Sequence, residues 1–165
     1  LLMWEKAKDF LTRAFTVIFM ATVIIWFMQT FDTRLNVVEN SADSILAALG
    51  RLVSPIFAPL GFGDWRMVTA LVSGFTAKEA VVSTFGVILG VSTEQLGIAL
   101  HSLFTTASAA SFLAFCLLYT PCVAAVSTIK TELKSGWKTV GIVFAQCLVA
   151  WLAAFMVYHV GLLLT

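Results

Sequence analysis

The 165-residue chain is 60% hydrophobic and only 12% charged, against about 25% charged in an ordinary soluble domain. This composition excludes intrinsic disorder, which needs low hydrophobicity and high net charge, and it argues against a water-soluble globule, because a chain this small must cover most of its surface with polar groups. Ten basic and nine acidic residues leave a net charge of +1, which gives no electrostatic footprint for nucleic acid, and three cysteines without a CxxC pair describe neither a disulfide framework nor a zinc site.

Residues 1–13, LLMWEKAKDFLTR, read as an amphipathic lead-in with Trp4 at an interface. Lys6, Lys8 and Arg13 belong on the cytoplasmic side by the positive-inside rule. A start at Leu1 rather than Met points to a piece of a longer protein. Residues 14–31 carry no charge, and a helix of roughly 20 apolar residues crosses a hydrocarbon core about 30 Å thick. The stretch is too long for a secretory h-region, and no small-residue cleavage site follows it. Residues 32–44 are rich in Asp, Asn and Ser and form an extramembrane loop. Residues 45–63 are hydrophobic but carry Gly50, Arg51, Pro55, Pro59, Gly61 and Gly63. Proline removes a backbone donor and stops a helix. The expectation is therefore a re-entrant or interfacial segment, since irregular backbone at depth needs protein or water around it. Asp64, Trp65 and Arg66 resemble an interfacial anchor.

Residues 67–91 have the length of a second span, and their flanks are small and apolar on all sides, as in tightly packed membrane helices. Lys78 and Glu79 nevertheless sit in the middle. The sequence STEQ at 92–95 opens the next helix as a capping-box-like start. The run 98–129 exceeds one crossing at about 1.5 Å of rise per residue. It is interrupted by the small polar stretch TTASAAS at 105–111 and by Pro121, so a broken helix is expected. Lys130, Lys134 and Lys138 follow with Glu132, and the last span covers 139–164. Three simple crossings would put the two Lys-rich regions on opposite sides. Either 45–63 also crosses, or 98–129 is not one simple crossing. None of these segments alternates with the period of two that a β-barrel strand needs. The expected fold class is all-α: a polytopic helical membrane protein with broken and re-entrant helices over 14–165.

Two constellations carry chemistry. Ionisable residues at mid-membrane are costly and face a bundle interior or a water-filled cavity. Adjacent helix positions differ by about 100°, so Lys78 and Glu79 cannot both point one way, and each needs its own partner. Glu79 then reads as a hard-oxygen ligand or counter-charge for a cation, and Lys78 as a gate or tether. The other reading makes both buried structural ions that anchor neighbouring backbone carbonyls. The second constellation is Tyr119, Thr120, Pro121 and Cys122. Pro121 frees the carbonyl four residues before it, and discontinuous membrane helices expose such carbonyls at transport sites. A cysteine beside the break offers a thiolate suited to late first-row metals and not to Na⁺ or Mg²⁺; alternatively it is a small buried hydrophobe next to a simple kink. Cys116 and Cys147 read as packing residues, and the five methionines as lipid-facing or core filler. His101, near a helix start, reads as interfacial or as a metal relay, and His159 as a headgroup-level residue. Gly136, Gly141 and Ala145 offer a close helix contact. No GxSxG, HExxH or P-loop pattern occurs, so this segment is not expected to be an enzyme.

PLGFGDWR at 59–66, GFTAKEAVVSTFGV at 74–87, LLYTPCVAAVSTIKTE at 117–132 and the opening WEKAKDFLTRAFTVIF resemble the membrane region of the ferrous iron transport protein B (FeoB) family. The resemblance covers almost the whole chain, with the AKE and LYTPC elements in order. It implies the C-terminal, Gate-type half of that membrane domain. Cys122 then matches the cysteine of the second Gate motif, which lines the Fe²⁺ path. Tyr119, Thr120 and Pro121 match its frame, and Lys78 and Glu79 match the AKE element; Cys122 and Glu79 then stand near the path as the candidate metal residues. The first Gate motif, of LPxCG type, and the GTP-binding domain are absent from this sequence. The resemblance implies a Fe²⁺ importer in a bacterial inner membrane, with Fe²⁺ as transported substrate and no cofactor held by this segment. GTP would act only through the domain outside this chain. The implied partners are the lipid bilayer, that G domain, the first Gate half, a small cytoplasmic accessory protein and a homo-oligomer. Two other readings compete: a Gate-fold transporter of another substrate such as nucleosides, and a structural membrane module that docks a partner.

Overall fold

A computed structural model describes residues 2–34, 36–119 and 122–164. Among the described residues, eight α-helices follow one another. No strand forms there beyond one isolated antiparallel bridge between Phe31 and Val37. The first helix, α1 (Leu2–Thr30), runs unbroken from the lead-in through the uncharged stretch. Nothing in that sequence interrupts it, so lead-in and first apolar segment are one rod. Its apolar part is Phe15–Thr30.

Helix α2 (Ile45–Phe57) starts where the Ser44 hydroxyl accepts from the Ala47 N–H at 3.1 Å, satisfying one of the donors a helix start leaves free. Pro55 lies inside this helix and does not stop it. The carbonyl that Pro55 cannot serve, that of Arg51, accepts instead from the Ser54 hydroxyl at 3.2 Å. A 3-10 turn (Ala58–Leu60) and Gly61, at φ +79°, then reverse the chain. Helix α3 (Trp65–Gly74) begins on the Asp64 carboxylate, which accepts from the Arg66 N–H at 2.8 Å. The α2 and α3 arms meet at 103°.

The segment expected as one helix over 67–91 is two. Helix α3 ends at Gly74, helix α4 (Ala80–Leu89) begins six positions later, and Lys78 and Glu79 lie in the turn between them. The 100° argument for an unbroken helix therefore does not apply. Gly90, at φ +64°, ends α4. Helix α5 (Thr93–Leu103) follows at 80° to it. Ser92 occupies the N-cap position of α5, but its side chain makes no capping bond. The capping box forms instead at the start of α6 (Thr106–Leu118). There the Thr105 hydroxyl accepts from the Ser108 N–H at 3.2 Å, and the Ser108 hydroxyl accepts from the Thr105 N–H at 2.9 Å. Helix α7 (Val123–Leu133) ends on Lys134 at φ +48°, and α8 (Gly136–Leu164) is a single 29-residue helix. By length and composition Thr106–Leu133 and Gly136–Leu163 can each cross a bilayer; counting each bent pair as one span brings the number to four. The fold is all-α and membrane-embedded, as the composition requires.

The tightest packing is α6 along α8. Ser111, fully buried, donates its hydroxyl to the Ala154 carbonyl at 2.9 Å, and a Cβ on Gly161 would come within 3.0 Å of Ala107 Cβ. The small residues that permit this approach are Ala107, Ser111, Ala150, Ala154 and Gly161. The expected trio does not serve: Gly136 and Gly141 face open space and Ala145 is exposed. They stand outside the face of α8 that Ala150, Ala154 and Gly161 turn to α6. Around this seam runs an aromatic series. Phe57 stacks on Phe62 at 5.5 Å, Phe62 meets Phe112 edge-on at 5.4 Å, and Phe57 meets Phe115 at 5.1 Å. Phe115 then stacks on Tyr119 at 5.4 Å. Such pairs each contribute about 0.5–1.5 kcal/mol beyond their burial, and they link the 58–63 corner to the end of α6.

Gly61→Ala tests the corner. Its φ is left-handed and a Cβ there would overlap the Tyr158 ring. The substitution is expected to destabilise the full-length protein in detergent by about 1–3 kcal/mol. Gly97→Ala, where nothing lies within 4 Å, is expected to be neutral or stabilising by up to about 1 kcal/mol. Thermal unfolding followed by circular dichroism reads both.

Candidate functional site

The site is built from two helix ends that need partners. A helix leaves its last four carbonyls and first four N–H groups without intrahelical bonds, and inside a membrane water is not there to satisfy them. At the end of α6 the Phe115 carbonyl accepts from the Tyr119 N–H at 2.8 Å. The next two carbonyls are served from a distant part of the chain. The Lys78 ammonium donates to the Cys116 carbonyl at 3.0 Å and to the Leu117 carbonyl at 3.3 Å. Leu117 is the residue four before Pro121, so it is the carbonyl that proline's missing N–H leaves unserved. Lys78 also lies over the Tyr119 ring, 5.1 Å from its centroid. A positive charge at a helix C-terminus is further favoured by the macrodipole.

The reverse connection exists as well. The Phe75 carbonyl, at the end of α3, accepts from the Val123 N–H, at the start of α7, at 3.0 Å. The α3–α4 turn thus supplies a donor to the end of α6 and an acceptor to the start of α7. The turn itself is held locally: the Thr76 N–H and hydroxyl both donate to the Ser73 carbonyl, at 3.1 and 2.8 Å. Cys122 is the N-cap residue of α7 and half-buried, with no capping bond from its side chain.

Tyr119 is 8% exposed, and its hydroxyl is buried without a hydrogen-bond partner. Gly74 makes room for it, since a Cβ there would come within 2.9 Å of that hydroxyl and would overlap the Val81 side chain. Beside the junction an open cleft of about 730 Å³ lies between α4, α5 and α6. Lys78, Phe85, His101, Phe112, Cys116 and Tyr119 are among its lining residues.

Of the residues expected from sequence, the fold brings Lys78 and Tyr119 into contact, and the Phe75–Val123 bond ties Cys122's helix to the same turn. Lys78 is exposed, and its ammonium anchors backbone carbonyls. Glu79 is exposed beside it, with no capping bond to α4. Thr120 and Pro121 lie outside the described residues. Among the described residues no group of three or more His, Cys, Asp or Glu side chains is arranged to hold a metal. His101 belongs to the last turn of α5, not near a helix start, and faces the cleft. His159 is exposed on α8 with its Nδ1 2.9 Å from the Phe155 carbonyl. Sequence reasoning pointed to the Leu117 carbonyl, four residues before Pro121, but missed the Cys116 and Phe75 carbonyls and the Val123 N–H. Only Leu117 had a signal, its spacing from Pro121.

The Gate family, described as nucleoside recognition, matches residues 11–136. The chain is 39% identical over 160 residues to the Fe(2+) transporter FeoB of Staphylococcus aureus (strain COL), covering 96% of this chain and 24% of that protein. It is 33% identical over 168 residues to the Fe(2+) transporter FeoB of Methanocaldococcus jannaschii, covering 98% of this chain and 25% of that one. A third relative is the Fe(2+) transport protein A/Fe(2+) transporter FeoB fusion protein of Porphyromonas gingivalis, 28% identical over 210 residues, covering 98% of this chain and 25% of the fusion. The chain therefore spans about a quarter of the length of these curated relatives. No solved structure matches it.

Tyr119→Phe separates packing from function. A buried polar group without a partner costs about 1–3 kcal/mol. Removing the hydroxyl is therefore expected to leave the full-length protein equally or more stable to heat. A loss of stability on this substitution would show that the hydroxyl is satisfied in the folded protein.

Proposed function

This chain belongs to the Gate family, and from that premise we propose that it is the translocation segment of a ferrous iron importer. The observation that carries the reading is the pair of helix breaks that cap each other, with Cys122 at the mouth of one. Broken helices at mid-membrane turn backbone carbonyls and helix starts toward a permeating ion. The Cys122 sulfur supplies the soft donor that distinguishes a late first-row metal from Na⁺ or Mg²⁺. The unpartnered Tyr119 hydroxyl is an oxygen donor in the same region, and Thr120 and Pro121 complete the frame. Glu79, exposed on the turn, attracts the divalent cation toward it. Fe²⁺ is here the cargo and not a resident cofactor. The relatives named as Fe(2+) transporters support this choice of cargo.

The same reading extends to the whole protein. Import runs through a multi-pass protein of the bacterial inner membrane, whose parts outside this chain contribute the first Gate half and a GTP-binding domain that regulates flux. The fusion in the Porphyromonas gingivalis relative supports a small Fe(2+) transport protein A-like accessory partner. This segment itself transports and does no chemistry on its cargo. A second reading rests on the family description, nucleoside recognition. In that reading the cleft beside Lys78 and His101 receives a base and ribose.

Uptake of radiolabelled Fe²⁺ and of radiolabelled nucleoside by cells carrying the full-length protein distinguishes the two. Cys122→Ser is expected to lower Fe²⁺ uptake by on the order of tenfold, at least the cost of losing an outer-shell metal partner, with the amount of protein in the membrane unchanged. Undiminished uptake would remove Cys122 from the path, and nucleoside uptake without iron uptake would replace the cargo.

A further inference from the structure

The end of α6 has the composition of a cation site. Two carbonyl oxygens, of Cys116 and Leu117, converge with the face of the Tyr119 ring on one point, and the ammonium of Lys78 occupies it at 3.0 Å, 3.3 Å and 5.1 Å respectively. Each component attracts a cation independently. The carbonyls belong to the last turn of a helix, where the macrodipole is negative. The Leu117 carbonyl lacks the ladder partner that Pro121 cannot provide. The aromatic face adds its quadrupole. We propose that these three groups form a binding site for a primary ammonium ion, and that Lys78 is the ion, tethered to the chain and donating across the gap between the α3–α4 turn and α6. Lys78 is thus a positioning residue. It holds the α6 end in place so that α7 and Cys122 start where they do.

The chemical class follows from the donors. A primary ammonium has three N–H groups and can serve two carbonyls at once. A quaternary ammonium keeps the charge and the attraction to the ring but has no N–H for either carbonyl. Access follows from the cleft. Lys78, Cys116, Leu117 and Tyr119 all line the open space between α4, α5 and α6, so shortening Lys78 leaves the site reachable from outside.

The test is chemical rescue in the full-length protein. Lys78→Ala is expected to lower the thermal unfolding midpoint in detergent by several degrees, and to lower transport in proteoliposomes by on the order of tenfold, the scale of losing charge-assisted hydrogen bonds. Propylammonium chloride is expected to restore much of both in Lys78→Ala and to leave the unsubstituted protein unaffected. Choline chloride at the same ionic strength is expected to restore neither in Lys78→Ala. Equal effects of propylammonium and choline, or the same response in the unsubstituted protein, would overturn the proposal. So would an unsubstituted midpoint in Lys78→Ala. If Lys78→Ala does not accumulate, Lys78→Arg and Lys78→Met decide. Arginine can donate to both carbonyls and is expected to accumulate and transport; methionine, similar in length and uncharged, is expected to fail. Equal behaviour of the two would refute the site. The unfolding midpoint reads the ammonium site whatever the cargo is, so its result stands apart from that of the iron assignment.

Discussion

The structure depends on one constraint: a backbone carbonyl released inside a membrane must find a donor in the protein. A helix that stops in water passes its last carbonyls to solvent. A helix that stops in hydrocarbon has no such outlet, and each unsatisfied group costs several kcal/mol. Helix α6 stops at Leu118, and the Lys78 ammonium takes two of its carbonyls. This explains how a charge is tolerated in so apolar a sequence. Lys78 does not face lipid as a bare ion; it completes another helix. Its ammonium, exposed at the cleft, gives two of the carbonyls at the end of α6 a donor from the protein.

The same logic accounts for the second long-range bond at the junction and for one outside it. The first N–H of α7 goes to the Phe75 carbonyl. At the opposite corner the Trp151 indole N–H, on α8, donates to the Ile56 carbonyl in the last turn of α2 at 3.0 Å. Each of these partners comes from another helix or from the turn between two helices. Moving one helix end therefore strains its distant cap. Helix α8 supports the arrangement through the Ser111 bond and the small-residue seam to α6, and the ring contacts Phe57–Phe115 and Phe115–Tyr119 pack the corner against the end of α6. A scaffold of this kind fixes the turn at 75–79 against the end of α6 and the start of α7.

Much of this was legible in the sequence, because hydropathy and proline are local signals. The uncharged runs gave an all-α membrane fold, and a break after residue 98 was expected, but of the small polar stretch 105–111 only Thr105 stands outside a helix, the rest forming the first turns of α6. The α3–α4 break was not legible. Residues 75–79 contain no proline, and their glycine at 74 is one of several in the chain. The partners that meet the break are distant in sequence: the Phe75 carbonyl accepts from the Val123 N–H, 48 positions on, and the Lys78 ammonium donates to the Leu117 carbonyl, 39 positions on. Pairing a lysine with a carbonyl 39 positions away leaves no trace in periodicity or propensity. The small-residue seam was misplaced for a related reason. Gly136 and Gly141 have the right chemistry, but which face of α8 meets α6 is set by the fold.

Pro55 and Pro121 make the distinction sharpest. Pro55 and Pro121 each deny a hydrogen bond to the carbonyl four residues earlier. At Pro55 the missing donor is replaced from three positions away, by the Ser54 hydroxyl on the Arg51 carbonyl, and α2 continues past it to Phe57. At Pro121 the replacement comes from 39 positions away, and α6 ends at Leu118. A local donor repairs a helix. A distant donor cannot follow the helix as it moves, so it converts the same covalent defect into a joint between elements. Whether a membrane proline leaves a continuous helix or builds a junction therefore depends less on the proline than on where the nearest spare N–H or O–H lies. In this chain a serine answers that question for Pro55 and a lysine for the carbonyl four residues before Pro121.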